Sequence, residues 1–170
     1  VCERAGLRTH ETGVAHGTIT VICGDSAFEV TTFRSDGLYK DGRHPDSVSF
    51  VSSIEEDLAR RDFTINAMAW RPDRGLVDPF GGKDDIDLGV IRAVGDPHQR
   101  FAEDALRILR ACRFSAELGY AVEPCTYQGM LENKGLLSKI SAERVTHELQ
   151  KLLLGPHAGN ALLGCVDALS

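Results

Sequence analysis

Runs of alternating apolar and polar residues come early in this chain, and apolar residues spaced by threes and fours come later, so strands are predicted first and helices afterwards. The chain opens inside what already reads as an element. Residues 17–23 (GTITVIC) and 27–34 (AFEVTTFR) are β-branched and aromatic runs with partial alternation. The turn signal Gly24-Asp25-Ser26 between them predicts an antiparallel hairpin. A polar stretch rich in Gly, Asp and Pro predicts a loop over 35–47, and VSFV a third strand over 48–51. Ser53, with Glu56 three residues on, fits a capping box that opens a helix near residue 54.

A second helix is predicted over 62–71, because Phe63, Asn66, Ala67 and Trp70 fall at i, i+3, i+4 and i+7. Pro72 and Gly75 stop it. GLVDPF (75–80) and GVIRAVG (89–95) read as short strands around a Gly-rich turn. Asp96-Pro97 is a helix opening with Pro at the first helical position. The segment 97–118 carries Phe101, Ala105, Ile108, Cys112 and Ala116 along one apolar stripe and predicts a single helix ended by Gly119. Further helices are predicted over 123–133, over 141–154 from Ser141 and over 156–168 from Pro156. The order of elements predicts an α+β unit over 1–95 followed by a helical one over 96–170, with the boundary near Asp96.

The chain has 170 residues, enough for a real core. It has no apolar stretch near the ~20 residues of a membrane span, and its first residues lack a signal-peptide pattern. Five scattered cysteines with no Cys-x-x-Cys pair read as reduced thiols of a soluble, cytoplasmic protein. A formal net charge of −6 argues against a nucleic-acid partner unless the basic residues are concentrated. They are: from Arg92 to Arg113 there are five arginines against three acids.

Two runs carry the candidate chemistry, RRDFTINAMAW (60–70) and FAEDALRILRACRFSAELGY (101–120). Asp104, Arg107, Arg110 and Arg113 recur every third residue, and each step drifts by about 60° around a helix, so the four spiral and cannot share one narrow face. Two readings stand side by side. In one, this is a solvated face with ion pairs such as Glu103 to Arg107. In the other, Asp104 and Arg107 read a base. The carboxylate accepts from the exocyclic amine of cytosine or adenine, and the guanidinium donates to the adjacent ring nitrogen. Uracil and guanine present a carbonyl there and are rejected. Arg110 and Arg113 would then neutralise phosphates. Asp62 reads either as a helix N-cap or, with Asn66, as a ribose contact, with Arg61 near the triphosphate.

The segments 15–34, 40–46 (KDGRHPD), 56–69 (EDLARRDFTINAMA), 78–95 (DPFGGKDDIDLGVIRAVG), 97–114 and 140–154 (ISAERVTHELQKLLL) resemble, in order, the motifs of class II CCA-adding tRNA nucleotidyltransferases, relatives of bacterial poly(A) polymerase. The resemblance implies a head domain with a truncated nucleotidyltransferase-type antiparallel sheet and then an all-helical neck. It implies an enzyme that adds C and A from CTP and ATP to the tRNA 3′ end, with two Mg²⁺ ions in the complete enzyme. It puts Arg61, Asp104, Arg107, Arg110 and Arg113 at ATP/CTP-contacting positions and Glu29 at the third active-site carboxylate.

Lys40, Asp41, Gly42, Arg43, His44 and Pro45 resemble the flexible loop of enzymes that add the terminal A. His16 and His44 read as structural or loop residues. The family's Gly-Gly-x-x-Arg-Asp turn and strand-borne Asp-x-Asp do not occur, so the chain is expected to be an internal piece without the metal site. Asp85-x-Asp87 has the right letters but lies in a Gly-rich turn and is discounted as a metal site. An A-adding enzyme, a poly(A) polymerase and a non-catalytic nucleotide- or RNA-binding remnant are the alternatives.

Overall fold

The computed structural model describes residues 3–14, 17–37 and 48–170. Strands β1 (Arg8–Gly13), β2 (Thr18–Cys23) and β3 (Ser26–Thr31) form a three-stranded antiparallel sheet in the order β1-β2-β3. The predicted hairpin is β2–β3, with Cys23 opposite Ser26 and Thr18 opposite Thr31. The predicted third strand is β5 (Val48–Phe50), but it pairs with β4 (Arg34–Asp36) in a separate two-stranded sheet. Helix α1 (Ile54–Ala59) opens at Ser53, whose hydroxyl oxygen accepts the Glu56 N–H. Residues 38–47 of the predicted loop lie outside the described residues.

The predicted helix over 62–71 does not form. Phe63 has extended backbone (φ −127°, ψ 151°) and bridges Ala93, residues 64–66 make a single 3₁₀ turn, and β6 (Ala69–Arg71) pairs with β7 (Gly75–Val77). Phe63 and Ala67 are fully buried as the periodicity demands, but Trp70 is 69% exposed. The spacing therefore matches two core contacts made by a turn, and the fourth position belongs to a hairpin. The Gly-rich turn after β7 contains a helix of its own, α2 (Gly82–Leu88), with Gly82 and Lys83 N–H groups held by the Asp78 carboxylate.

The predicted helix over 97–118 is two helices, α3 (Pro97–Glu103) and α4 (Leu106–Leu118), broken at Asp104, which is extended at φ −149° and ψ 102°. The apolar stripe runs through the break, with Phe101, Ala105, Ile108, Cys112 and Ala116 all in the core. Asp96 opens α3 by accepting the His98 N–H. Gly119 ends α4 in the left-handed region. Helices α5 (Pro124–Asn133), α6 (Ala142–Leu154) and α7 (Ala158–Leu169) follow, the last starting two residues beyond Pro156.

A short parallel pair, β8 (Val90–Ile91) with β9 (Ala121–Val122), joins the strand-rich part to the helices. The main core gathers Phe63, Ile91, Phe101, Ile108, Met130 and Leu152 from both parts. Helices α4 and α6 pack together around the buried ion pair of Arg113 Nε and Glu148 Oε2, 2.7 Å apart, with side chains 10% and 6% exposed.

Two substitutions probe this frame. A Cβ at Gly82 would lie 2.2 Å from the Thr64 carbonyl oxygen, so Gly82→Ala is expected to push α2 off the 64–66 turn. The expected loss is about 1–3 kcal/mol of unfolding free energy, read from urea denaturation. Glu148→Ala leaves Arg113 buried with Glu117 alone as its carboxylate partner among the described residues. It is expected to cost about 3 kcal/mol, the low end for breaking a buried pair, and a loss under about 1 kcal/mol would make the pair a surface-like one.

Candidate nucleotide-binding cleft

Where the 60–66 segment meets α4 and α6, the chain forms a cleft of about 650 Å³. Its lining holds six arginines (Arg34, Arg60, Arg61, Arg107, Arg110, Arg144) and two aspartates (Asp62, Asp104), with Asn66, Leu106 and Phe114. Its chemistry is that of a pocket for an anion with a polar ring attached, since guanidinium forks suit phosphate oxygens and an aspartate between them accepts from an amine.

The arginines keep their directions because buried carboxylates hold them from behind. Asp57, on the inner face of α1, takes Arg60 at 2.6 Å and Arg61 at 2.8 Å, and accepts the Arg34 N–H. Burial works to raise the Asp57 carboxyl, but the hydrogen bonds from Arg61, Arg60 and the Arg34 N–H outweigh it and hold it below the usual carboxylate range. Arg61 stays 42% exposed, and its Nε is a buried donor with no hydrogen-bond acceptor among the described residues.

Asp62 is not a helix cap. Its Oδ1 accepts from the Phe63 N–H and from Asn66 Nδ2, and its Oδ2 takes Arg110 through Nε at 2.8 Å and Nη2 at 2.6 Å. Asp62 and Asn66 thus stand together on one wall, with Asp62 bonded to Arg110 on the other.

Asp104 and Arg107 both line the cleft, but each has a different neighbour holding it. Asp104 Oδ1 accepts the Leu106 N–H and Oδ2 takes Arg144 Nη2 at 2.6 Å. Arg107 donates to the Arg100 and Arg60 carbonyls and pairs with Glu103, the i,i+4 partner the spacing allows. An ionised carboxylate has about four lone-pair sites. Two on Asp104 are engaged, which leaves acceptor capacity facing the cleft.

Arg113 does not line the cleft. One step further round α4, it is turned toward Glu148 and Glu117, with its guanidinium 4.0 Å from the Phe114 ring centroid. The sequence assigned it to phosphate binding. The drift of about 60° at each three-residue step, accumulated over two steps from Arg107, is what turns it away. Glu29 is exposed on β3 and is not part of the cleft. Lys40, Asp41, Gly42, Arg43, His44 and Pro45, and also His16, lie outside the described residues.

Asp85 is buried, bonded by the Thr64 hydroxyl at 2.6 Å and paired with Arg92, while Asp87 pairs with Lys83 on the helix surface. The two point apart. Among the described residues, no group of three or more His, Cys, Asp or Glu could hold a metal ion. No helix among them is long and apolar enough to cross a membrane.

Sequence reasoning missed Arg34, Arg60, Leu106, Phe114 and Arg144 as cleft residues. Arg60 stood next to a named residue and was the easiest to find. Arg144 lies 40 positions from Asp104, and no local pattern links them.

The family described as Poly A polymerase head domain matches residues 3–92, and that described as Probable RNA and SrmB-binding site of polymerase A matches 119–164. A CCA-adding enzyme of Limosilactobacillus fermentum is 51% identical over 160 residues, 94% of this chain and 40% of its own length. The crystal structure of the Bacillus stearothermophilus CCA-adding enzyme in complex with CTP is 47% identical, with a TM-score of 0.86, over 96% of this chain and 39% of that one. A tRNA nucleotidyltransferase complexed with a primer tRNA and an incoming ATP analog is 31% identical, with a TM-score of 0.79, over 98% of this chain and 46% of that one. The chain thus spans about two fifths of the length of the curated relatives it matches. Matched over more than half its length by one head-domain family and superposing on solved members across a strand-rich head and the helices that follow, the chain belongs to the family of class II CCA-adding tRNA nucleotidyltransferases and bacterial poly(A) polymerases.

Proposed function

We propose that the complete protein adds C and A from CTP and ATP to the 3′ end of tRNA, releasing pyrophosphate, and that the arginine-lined cleft reads the incoming nucleotide. The observation that carries this reading is the cleft itself, where Asp104 and Arg107 sit together between cationic side chains. Relatives with this fold are seen with CTP and with a primer tRNA and ATP analog, which supports the same substrates here. The tRNA is the partner, the cytoplasm the compartment, and the head passes into the neck near Asp96.

Asp104 accepts the exocyclic amine of cytosine or adenine, and Arg107 donates to the neighbouring ring nitrogen. A carbonyl facing Asp104 would set acceptor against acceptor and leave the carboxylate's remaining lone pairs without a donor, so uracil and guanine are disfavoured. Asp62 and Asn66 face the ribose hydroxyls. Arg61 and Arg110 neutralise the phosphates, without Arg113, whose Nε and Nη1 donate to Glu148 and Glu117 outside the cleft lining. Lys40 to Pro45 assist addition of the terminal A. Magnesium would activate the attacking hydroxyl and stabilise the leaving oxygen in the complete enzyme. The described residues of this chain offer no ligand set for it, and exposed Glu29 contributes at most one carboxylate beside a strand-borne Asp-x-Asp that this sequence lacks.

Asp104→Ala in the complete protein is expected to lower discrimination against UTP and GTP as well as rate. A hydrogen bond to a charged group is worth roughly 1.5–3 kcal/mol, so selectivity should fall about tenfold to a hundredfold. Measuring incorporation of all four nucleotides tests it, and unchanged base preference in a folded mutant would remove Asp104 from the reader. The 170-residue chain alone, given tRNA lacking CCA, CTP, ATP and Mg²⁺, is expected to yield no longer product. Extension that survives repurification and disappears on Asp85→Ala would mean that Asp85 holds metal after all.

A further inference from the structure

A second cavity, of about 550 Å³, opens at the C-terminal end of α4, between β9, the start of α5 and α7, and shares no lining residue with the cleft. Its walls carry Tyr120, Pro124, Tyr127, His157 and Asn160. The two tyrosines are half-buried and packed against the main core, while His157 and Asn160 are exposed. Contacts with the end of α4 fix these walls. Ser115 Oγ donates to the Tyr120 carbonyl at 2.7 Å, and the His157 N–H donates to the Ala116 carbonyl at 2.9 Å. Gly119, in the left-handed region at φ 73°, lets the His157 imidazole lie against the backbone, since a Cβ there would stand 3.0 Å from the ring.

Two features define what fits. No aspartate, glutamate, lysine or arginine lines the cavity, so beside a single histidine it has nothing to pair with a phosphate or an acidic peptide. The Tyr120 and Tyr127 hydroxyls, the His157 ring nitrogens and the Asn160 amide make no hydrogen bond to another described residue. An apolar side chain from a protein partner would cover these groups and leave them unpaired, which costs free energy. A neutral planar ring with donors and acceptors along its edge suits both features. It stacks on the aromatic walls and bonds with the free polar tips, as unpaired bases do on single-strand-binding proteins. The volume is that of an ordinary small-molecule site and accommodates a base with its ribose.

We propose that this cavity binds an unpaired nucleobase of an RNA strand, at a place separate from the cleft that reads the incoming nucleotide. All of its lining residues except Ser115 and Cys165 fall within 119–164, the span that the polymerase A RNA-binding family matches. The base leaves the strand and stacks between α5 and α7, and its phosphate stays in solvent beside exposed His157. That the base comes from RNA rests on the tRNA partner proposed above, whereas the fit of the cavity to a neutral ring does not.

Gly164, on the α7 wall, supplies the test, because a Cβ placed there meets nothing within 4 Å. Gly164→Phe fills the cavity from α7 without displacing the core, and Gly164→Ala is its control. In the complete protein, Gly164→Phe is expected to weaken binding of a tRNA lacking CCA by about fivefold to a hundredfold, the range for losing one stacked base, with Gly164→Ala unchanged. Equilibrium dialysis should give all three proteins the same affinities for CTP and ATP, since the cleft is untouched. Thiouridine-substituted RNA irradiated with the unsubstituted protein should crosslink to the peptides that hold Tyr120 or Tyr127. Equal RNA affinity of the Phe and Ala variants would overturn the proposal and leave the cavity to a protein side chain. Weaker CTP or ATP binding by Gly164→Phe, with RNA binding unchanged, would also overturn it and assign the cavity to a free nucleotide. RNA binding that depends on Gly164 in a protein unable to extend tRNA would support this site while removing the proposed activity. Should Gly164→Phe fail to fold, the crosslinking map decides, and adducts confined to residues outside the cavity overturn the proposal.

Discussion

One buried carboxylate ties the strand-rich part of this chain to its helices. Asp62, 8% exposed, accepts two hydrogen bonds from Arg110 across 48 residues of sequence and two more from its own turn. Its backbone carbonyl accepts the Val94 N–H. Taking a carboxylate out of water costs several kcal/mol unless charge-assisted hydrogen bonds satisfy its lone pairs. Asp62 meets that condition, since Arg110 donates through Nε and Nη2 to its Oδ2 while the Phe63 N–H and Asn66 Nδ2 donate to its Oδ1. The cleft exists because this contact holds α4 against the 62–66 turn and gives it one wall from each part.

The same logic explains how an acidic protein carries a cationic cleft. The formal net charge is −6, yet six arginines line one cavity. Left alone they would repel one another and adopt many rotamers. Asp57, Glu103, Asp62 and Asp104 each hold one or two of them at 2.9 Å or closer, so the acids of this region act as anchors for cations. A guanidinium anchored through one edge still presents its other donors to the cleft, already oriented. Preorganisation of this kind favours an anionic ligand more than the same charges on free side chains would.

The break at Asp104 has a comparable role. A continuous helix over 97–118 would have buried the same apolar stripe, since Phe101 and Ala105 keep their places in the core on either side of the break. The extended residue instead frees the Asp104 carboxylate to reach Leu106 N–H and Arg144. The local departure from helical geometry thus occurs at a residue whose side chain faces the cleft, where a sequence is expected to break its own local rules.

By itself, the sequence determined what depends on neighbours along the chain. The β2–β3 hairpin followed from a turn signal between β-branched runs, α1 from a serine cap, the existence of α5 and α6 as helices from the later half of the chain, and the family from the order of its motifs. Asp62, Asn66, Asp104, Arg107 and Arg110 were legible as a group because each stands in one of two conspicuous runs. Only the tertiary structure decided the rest. The spacing of Phe63, Ala67 and Trp70 suits a helix and a turn-plus-hairpin equally, and the bridge from Phe63 to Ala93 selects the second. Arg113 looks like its neighbours in sequence, but Glu148 on α6 draws it away from the cleft. Arg144 completes the cleft from 40 residues away. Periodicity records which residues are buried, whereas ion pairs between distant segments decide where a charged side chain points, and those pairs exist only once the chain has folded.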